Sequence, residues 1–252
     1  MAIAYFYFHG ELNYFLPEQK KQVNFAYGFE ERNSIKDTIE SLGIPHTEVD
    51  LIDVNGKYID FSYIIEDGDK INVYPINYIN NSITKSNYSL TPKLPNVIRF
   101  VLDIHLGKLA NSLRLLGFDT LYFNNDYGDP KLAQISSEQE RILLTRDKGL
   151  LMRSIVTHGY YVRNTKPQKQ ILEVMTRFNL HSLTSPFSRC LRCNGLLVSV
   201  DKKSVIDQLP ASVESQVNEF RRCQNCSQIY WKGSHYTRLE NFINEIMNNS
   251  DQ

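Results

Sequence analysis

The chain has 252 residues, 42% of them hydrophobic, with 28 basic and 28 acidic side chains and a formal net charge of zero. That length suits one to three domains with sizeable cores. No apolar run approaches the roughly 20 residues that a membrane-spanning helix needs, which excludes a helical membrane protein. The zero charge hides a split: residues 1–80 carry 13 acidic and 6 basic side chains (net −7), and residues 81–252 carry 15 and 22 (net +7). An acidic front and a basic back predict different partners, with the basic part a platform for a polyanion; ordinary sampling of surface charge is the alternative.

The N-terminal run Ile3-Ala-Tyr-Phe-Tyr-Phe-His is β-rich and lacks a basic leader. It reads as a strand and not as a signal peptide, so the expected compartment is the cytoplasm. Residues 22–27 are a second strand candidate. Ser34-Ile-Lys-Asp-Thr-Ile-Glu-Ser-Leu carries apolar residues at 35, 39 and 42, which is helical spacing with Ser34 as N-cap and Gly43 as the stop. Strand-like runs at 47–54 and 58–63 flank Asn55-Gly56, a strong hairpin signal, and Asp67-Gly-Asp-Lys-Ile-Asn-Val-Tyr-Pro closes with a last strand. Two strands, a helix and further strands predict an α+β β-grasp (ubiquitin-like) domain over residues 1–80. The Asn/Ser/Thr-rich stretch 77–93 marks a linker, set at 81–94.

Residues 95–182 alternate strand and helix: strand 97–102, helix 106–116 ended by Gly117, strand 120–123, then a helix opened by Asp129-Pro130 with Asp as cap and Pro at the first helical position. Strand 141–145, a helix after Asp147, strand 160–162 and helix 167–178 follow. The alternation predicts a three-layer α/β core with a parallel sheet. Sites in such sheets lie outside the carboxyl ends of the strands. Asp103 and Asp147 stand there, and Asp129 begins the helix between them. Carboxylates brought together repel unless a cation neutralises them. Mg²⁺ or Mn²⁺ takes oxygen ligands, activates water and stabilises an in-line phosphoryl displacement, so the pattern points to a metal-dependent phosphodiesterase or nuclease. The plainer reading makes these residues turn formers and caps. Asp126 rivals Asp129 as the middle acid, and Asp119 reads as a turn residue. Lys108, Arg114, Arg146 and Lys148 either hold phosphates or solvate helix faces, and His105 reads as a packing or hydrogen-bonding residue.

The four cysteines form two pairs, Cys190-Leu-Arg-Cys193 and Cys223-Gln-Asn-Cys226, separated by 29 residues. Two such turns complete a tetrahedral sulfur cage, so residues 186–240 are expected to be a structural zinc ribbon with an excursion between its knuckles. Two disulfides or four unrelated buried thiols are the alternatives. Four thiolates leave no open coordination position, which puts any chemistry elsewhere. Tyr230-Trp-Lys-Gly-Ser-His-Tyr mixes aromatics with cations, so either Trp231 and Lys232 stack on and pair with single-stranded nucleic acid, or Tyr230 and Trp231 cover the ribbon core. Residues 241–252 are expected to be a polar tail.

Asp103-Ile-His-Leu-Gly-Lys-Leu-Ala, Leu113-Arg-Leu-Leu-Gly-Phe-Asp-Thr, Arg141-Ile-Leu-Leu-Thr-Arg-Asp and Tyr230-Trp-Lys-Gly-Ser-His-Tyr resemble the Mut-seven C-terminal RNase family. Ser34-Ile-Lys-Asp, Gly43-Ile-Pro-His and Asn55-Gly resemble the ubiquitin-like domain often fused in front of it. The resemblance covers nearly the whole chain. It implies a PIN-like nuclease core followed by a zinc ribbon, acting on RNA through an acidic Mg²⁺ or Mn²⁺ pocket. Asp103 matches the first acid of the pattern, Asp147 the acid after the Thr-x motif, and Asp129 the middle acid, 18 residues before Asp147. Many PIN-like relatives carry a further acid where Lys148-Gly149 stands here, which leaves three carboxylates and argues against strong two-metal occupancy. The alternative is a non-catalytic RNA-binding or partner-docking adaptor. In either case the acidic β-grasp domain docks a protein or shields the basic surface; it runs into Asn77-Tyr-Ile-Asn with no Gly-Gly terminus, so conjugation is not expected.

Overall fold

The computed structural model describes residues 1–76, 88–123, 128–210, 213 and 217–248; Asp126 and residues 81–87 of the expected linker lie outside them. The N-terminal sheet is built from β1 (Ala2–Phe8), β2 (Phe25–Phe29), β3 (Val49–Val54), β4 (Lys57–Ile59) and β5 (Lys70–Pro75), in the order β2-β1-β5-β3-β4. β1 runs parallel to β5 and the other pairs are antiparallel. With helix α1 (Ile35–Ser41) this is the β-grasp arrangement. Alternation along β1 buries Ala4, Phe6 and Phe8 and exposes Tyr5. Ile35 and Ile39 of α1 join that core, and the Ser34 hydroxyl caps the helix by accepting the Asp37 N–H at 3.1 Å. Asn55 (φ 53°) and Gly56 (φ 84°) make the tight β3–β4 turn, both in the left-handed region that Asn-Gly supplies at low cost.

Two expectations here are corrected. The strand expected at 22–27 begins only at Phe25, because Gln22 has φ 54° and its N–H donates to Asn13 Oδ1 at 2.7 Å. The strand expected at 58–63 ends at Ile59, because the Asp60 carboxylate accepts the Ser62 N–H at 2.8 Å and turns the chain.

The following segment is a parallel sheet of four strands flanked by helices: β6 (Arg99–Leu102), α2 (Gly107–Leu115), β7 (Asp119–Tyr122), α3 (Asp129–Glu138), β8 (Ile142–Thr145), α4 (Lys148–Leu151), β9 (Gly159–Tyr161) and α5 (Pro167–Arg177). The strand order is β7-β6-β8-β9. β8 is buried at every position, as strands covered on both faces are. A three-stranded antiparallel ribbon follows, of β10 (Leu197–Val200), β11 (Phe220–Cys223) and β12 (Ile229–Trp231), with two short 3₁₀ turns in the excursion between the knuckles. The segment expected as a polar tail is helical through Asn248 in α6 (Ser234–Asn248), where Ile243 and Ile246, three apart, are buried. Among the described residues no helix is long and apolar enough to cross a membrane.

The chain divides into two compact units, Met1–Asn96 with Gly128–Tyr161, and Val97–Tyr127 with Val162–Gln252. Within the first, the β-grasp turn His46–Glu48 lies against β9. Glu48 is fully buried, and its Oε1 accepts the Tyr161 N–H at 2.7 Å. The His46 ring bridges Glu40 Oε1 at 2.7 Å and the Val156 carbonyl at 3.1 Å. Phe15 meets Tyr161 edge-on with ring centroids 5.3 Å apart. Truncating Glu48 to alanine is expected to cost about 1–3 kcal/mol, since the Tyr161 N–H loses its acceptor in a buried place. A urea midpoint equal to that of the unaltered chain would show that this bond carries no stability.

Candidate functional site

Asp103 directly follows β6 and is only 6% exposed. It caps the Ile104–Leu106 turn: its Oδ1 accepts the His105 N–H at 2.6 Å. Asp147 stands two residues past β8 and caps α4, with Oδ1 accepting the N–H groups of Gly149 (2.7 Å) and Leu150 (3.3 Å). Its own N–H donates to the buried Thr145 hydroxyl at 2.9 Å. A Cβ on Gly149 would sit 3.2 Å from that carboxylate oxygen, so glycine eases the close approach. Asp129 departs from expectation: Gly128, at φ 75°, is the N-cap and Asp129 opens α3, with Pro130 behind it. Glycine takes the positive-φ position that aspartate would occupy only with strain. Asp119 is structural, as expected: its Oδ1 accepts from Asn194 Nδ2 at 2.8 Å.

The basic residues divide. Lys108 is exposed on α2. Arg146 lies 6.0 Å over the Tyr161 ring, and Lys148 lies 6.0 Å over the Phe15 ring. Arg114, expected on phosphate, is 5% exposed and turned inward. Its Nε donates to the Thr120 carbonyl at 3.0 Å, and a terminal nitrogen donates to the carbonyls of Leu191 (3.0 Å) and Arg192 (3.5 Å). Burial pushes its guanidinium below the usual value, against the pull of Cys190, Cys193 and Asp119. Arg114 therefore braces the first knuckle against β7. An Arg114→Met variant keeps the stem but orphans buried carbonyls, and is expected to lower stability by about 2–4 kcal/mol in urea unfolding; a loss below about 0.5 kcal/mol would contradict the brace.

The two knuckles are built alike. Cys190 N–H donates to the Gly195 carbonyl (2.8 Å) and Asn194 N–H to the Cys190 carbonyl (2.9 Å); Cys223 N–H donates to Gln228 (2.9 Å) and Ser227 N–H to Cys223 (3.1 Å). Asn194 and Ser227, each next after the second cysteine of its pair, have φ 68° and 59°. All four sulfurs lie within 4.8 Å of one another, with Cys190–Cys226 at 3.6 Å and Cys193–Cys223 at 3.4 Å. These are far longer than a disulfide bond of about 2.05 Å. They fit a tetrahedral zinc site, where bonds of about 2.3 Å set sulfurs about 3.8 Å apart. The four-cysteine cluster thus has the donor set and spacing to hold zinc. Burial pushes the Cys190 thiol up, but the Tyr230 hydroxyl, at 3.1 Å, and the N–H groups of Cys193 and Arg192 bring it down to about 7. Burial, with the neighbouring thiols, pushes Cys193 up to about 12.

Asn194, which sequence reasoning missed, and Tyr230, read there as a cover of the ribbon core, tie the first knuckle down. Asn194 Oδ1 accepts the Thr120 N–H at 2.9 Å, and Tyr230 Oη accepts the Leu191 N–H at 3.2 Å. An amide directly after Cys193, in a position that needs positive φ, was the signal for the first. Trp231 is half-buried against the small ribbon core of Val205, Phe220 and Ile229. Lys232 pairs with Glu219 at 2.8 Å. Both line a cavity of about 680 Å³ shared with Phe187, Arg221 and Tyr236.

Residues 98–243 match the family model described as the Mut7-C RNAse domain, and residues 1–80 match the one described as Mut7-C ubiquitin. A human protein described as an exonuclease mut-7 homolog is 32% identical over 109 residues, covering 41% of this chain and 12% of that protein. The chain thus aligns with only about an eighth of the length of this curated relative. No solved structure matches.

Proposed function

Since this chain belongs to the Mut7-C RNAse domain family, with the family's ubiquitin domain at its N-terminus, we propose that it hydrolyses RNA phosphodiester bonds with Mg²⁺ or Mn²⁺. Our layout is a β-grasp domain at 1–80, a linker at 81–94, a PIN-like core at 95–182 and a four-cysteine zinc ribbon at 186–240. The observation that carries the reading is the pair of capped aspartates: Asp103 and Asp147 each follow a parallel strand and are held by N–H groups of the next turn. Each cap uses the Oδ1 atom, and a carboxylate has about four lone-pair sites. The capping bonds fix the orientation of both carboxylates. Asp103, Asp129 and Asp147 would hold the ion, and oxygen donors suit a hard cation. A bound divalent ion would activate water and offset charge on the phosphoryl group. Lys108 would meet phosphate. Four free thiols suit a reducing compartment such as the cytoplasm.

The β-grasp domain favours a second, compatible role. Its His46–Glu48 turn is engaged by Tyr161 and Val156, so its first docking partner is its own chain.

The test is cleavage of labelled single-stranded and structured RNA with and without Mn²⁺, comparing the unaltered chain with a folded, zinc-loaded Asp103→Asn/Asp147→Asn variant. Cutting by the unaltered chain alone, and only with metal, is the expected result. Equal cutting by both would remove the proposed site; binding without cutting would favour the adaptor.

A further inference from the structure

We propose that the cleft between α2 and the first cysteine knuckle seats the backbone of single-stranded RNA, so that the ribbon grips substrate through Arg192. The choice of RNA as occupant rests on the nuclease reading; the cleft itself rests on geometry and charge. It has a volume of about 670 Å³ and is lined by His105, Lys108, Asn111, Arg114, Tyr122 and Arg192, with Gln170 and Thr165 at its α5 side. That volume lies within the range of ligand sites. Three of the lining residues are permanent cations and, among the described residues, none is a carboxylate, so the cleft favours an anion.

Its two exposed cations come from different elements. Lys108 rises from the first turn of α2, and Arg192 stands at the centre of the Cys190–Cys193 knuckle. Arg114 beneath them is spent on the carbonyls of Leu191 and Arg192. It holds the knuckle in place, so Arg192 is presented from a fixed backbone that needs no reordering on binding. The start of α2 is fixed as well. The Tyr122 hydroxyl donates to the Ile104 carbonyl at 3.0 Å, across the start of α2. A Cβ at Gly107 would come within 2.7 Å of that hydroxyl, so only glycine admits this contact. The same Ile104–Leu106 turn begins at Asp103, which joins the cleft to the acidic residue by one short rigid segment. Asn111, His105 and Thr165, all exposed, add hydrogen-bonding groups for ribose and base. A polar, open, cationic trough of this kind suits an extended phosphodiester strand, which is gripped by its charges and tolerates sequence.

The experiment uses the full, zinc-loaded chain in an Asp147→Asn background, which keeps the strand intact. Binding of a fluorescein-labelled single-stranded oligoribonucleotide is followed by anisotropy at several salt concentrations. Lys108→Glu/Arg192→Glu is expected to weaken binding at least about tenfold. It should also flatten the plot of log affinity against log salt by about 1.4, since each phosphate contact on a single strand contributes about 0.7 to that slope. Lys108→Arg/Arg192→Lys, which keeps both charges, is expected to bind within about threefold of the parent. Zinc content and circular dichroism verify the fold of both. Binding by the charge-reversed variant within twofold of the parent and with an unchanged slope would overturn the proposal, as would equal weakening by the charge-conserving variant. Loss of binding in a chain that cuts no RNA with Asp147 restored would leave the cleft standing and sink the nuclease reading. Cutting and binding by the charge-reversed chain at full strength would do the reverse.

Discussion

Asp147→Asn and Asp147→Ala are expected to lose metal-dependent RNA cleavage alike, by on the order of 10³-fold, yet to differ in stability. The carboxylate has two jobs. As a proposed ligand it must carry charge, and neither replacement does. As the N-cap of α4 it accepts the N–H groups of Gly149 and Leu150, and an asparagine side-chain oxygen accepts equally well. Alanine leaves both donors to water and is expected to cost about 1 kcal/mol more than asparagine. Initial rates with Mn²⁺, read beside urea midpoints, separate the two roles. A wild-type rate for the asparagine variant would remove Asp147 from the chemistry. Equal destabilisation of the two variants would remove the cap.

Zinc removal is expected to have the largest structural effect. Among the described residues the ribbon core has three buried apolar side chains, Val205, Phe220 and Ile229, with Val200, Leu209, Val213, Val217 and Trp231 partly buried around them, a small core for three short strands. Structural zinc contributes about 10–16 kcal/mol of apparent binding energy in isolated finger peptides, which is folding energy for so small a unit. The chain has one tryptophan, Trp231 in β12, so the ribbon carries its own optical reporter. Chelation, or a Cys223→Ser change, should shift Trp231 emission to the red, while most far-ultraviolet circular dichroism, contributed by the other sheets and helices, persists. Thiolates are the ligands, so zinc should also be lost as pH falls and protons compete for them. Protein that carries no zinc when prepared without chelator, and whose Trp231 emission ignores chelation, would overturn the metal assignment.

Much of this was legible because the signals were local. Helical spacing at 35, 39 and 42, the Asn55-Gly56 turn and the paired cysteines each specify geometry within a few residues. The misreadings were of two kinds. At Gln22 and Gly128 a single positive-φ residue moved the boundary of an element, which periodicity does not register. At Arg114 the deciding partners are the carbonyls of Leu191 and Arg192, 77 and 78 residues downstream, so a residue on the polar side of an amphipathic helix became an internal brace. The polar tail, read as either helical or frayed, is helical through Asn248, and Leu239, Ile243 and Ile246 carry the helical spacing. For the acidic residues the sequence located the strand ends; the capping bonds that fix Asp103 and Asp147 are features of turn geometry.

The hydrogen bonds at Thr120 and Tyr161 have a colloidal meaning as well. β7 and β9 are the outermost strands of the parallel sheet, and such strands offer outward amides to any passing chain. On β7 the Thr120 N–H is taken by Asn194 and its carbonyl by Arg114; on β9 the Tyr161 N–H is taken by Glu48. The β7 plugs are Asn194 of the first knuckle and Arg114 of α2, and the β9 plug is Glu48 of the β-grasp turn. The appended folds therefore act as end-stops against strand-to-strand aggregation, and a core stripped of either would gain a sticky margin along with its freedom.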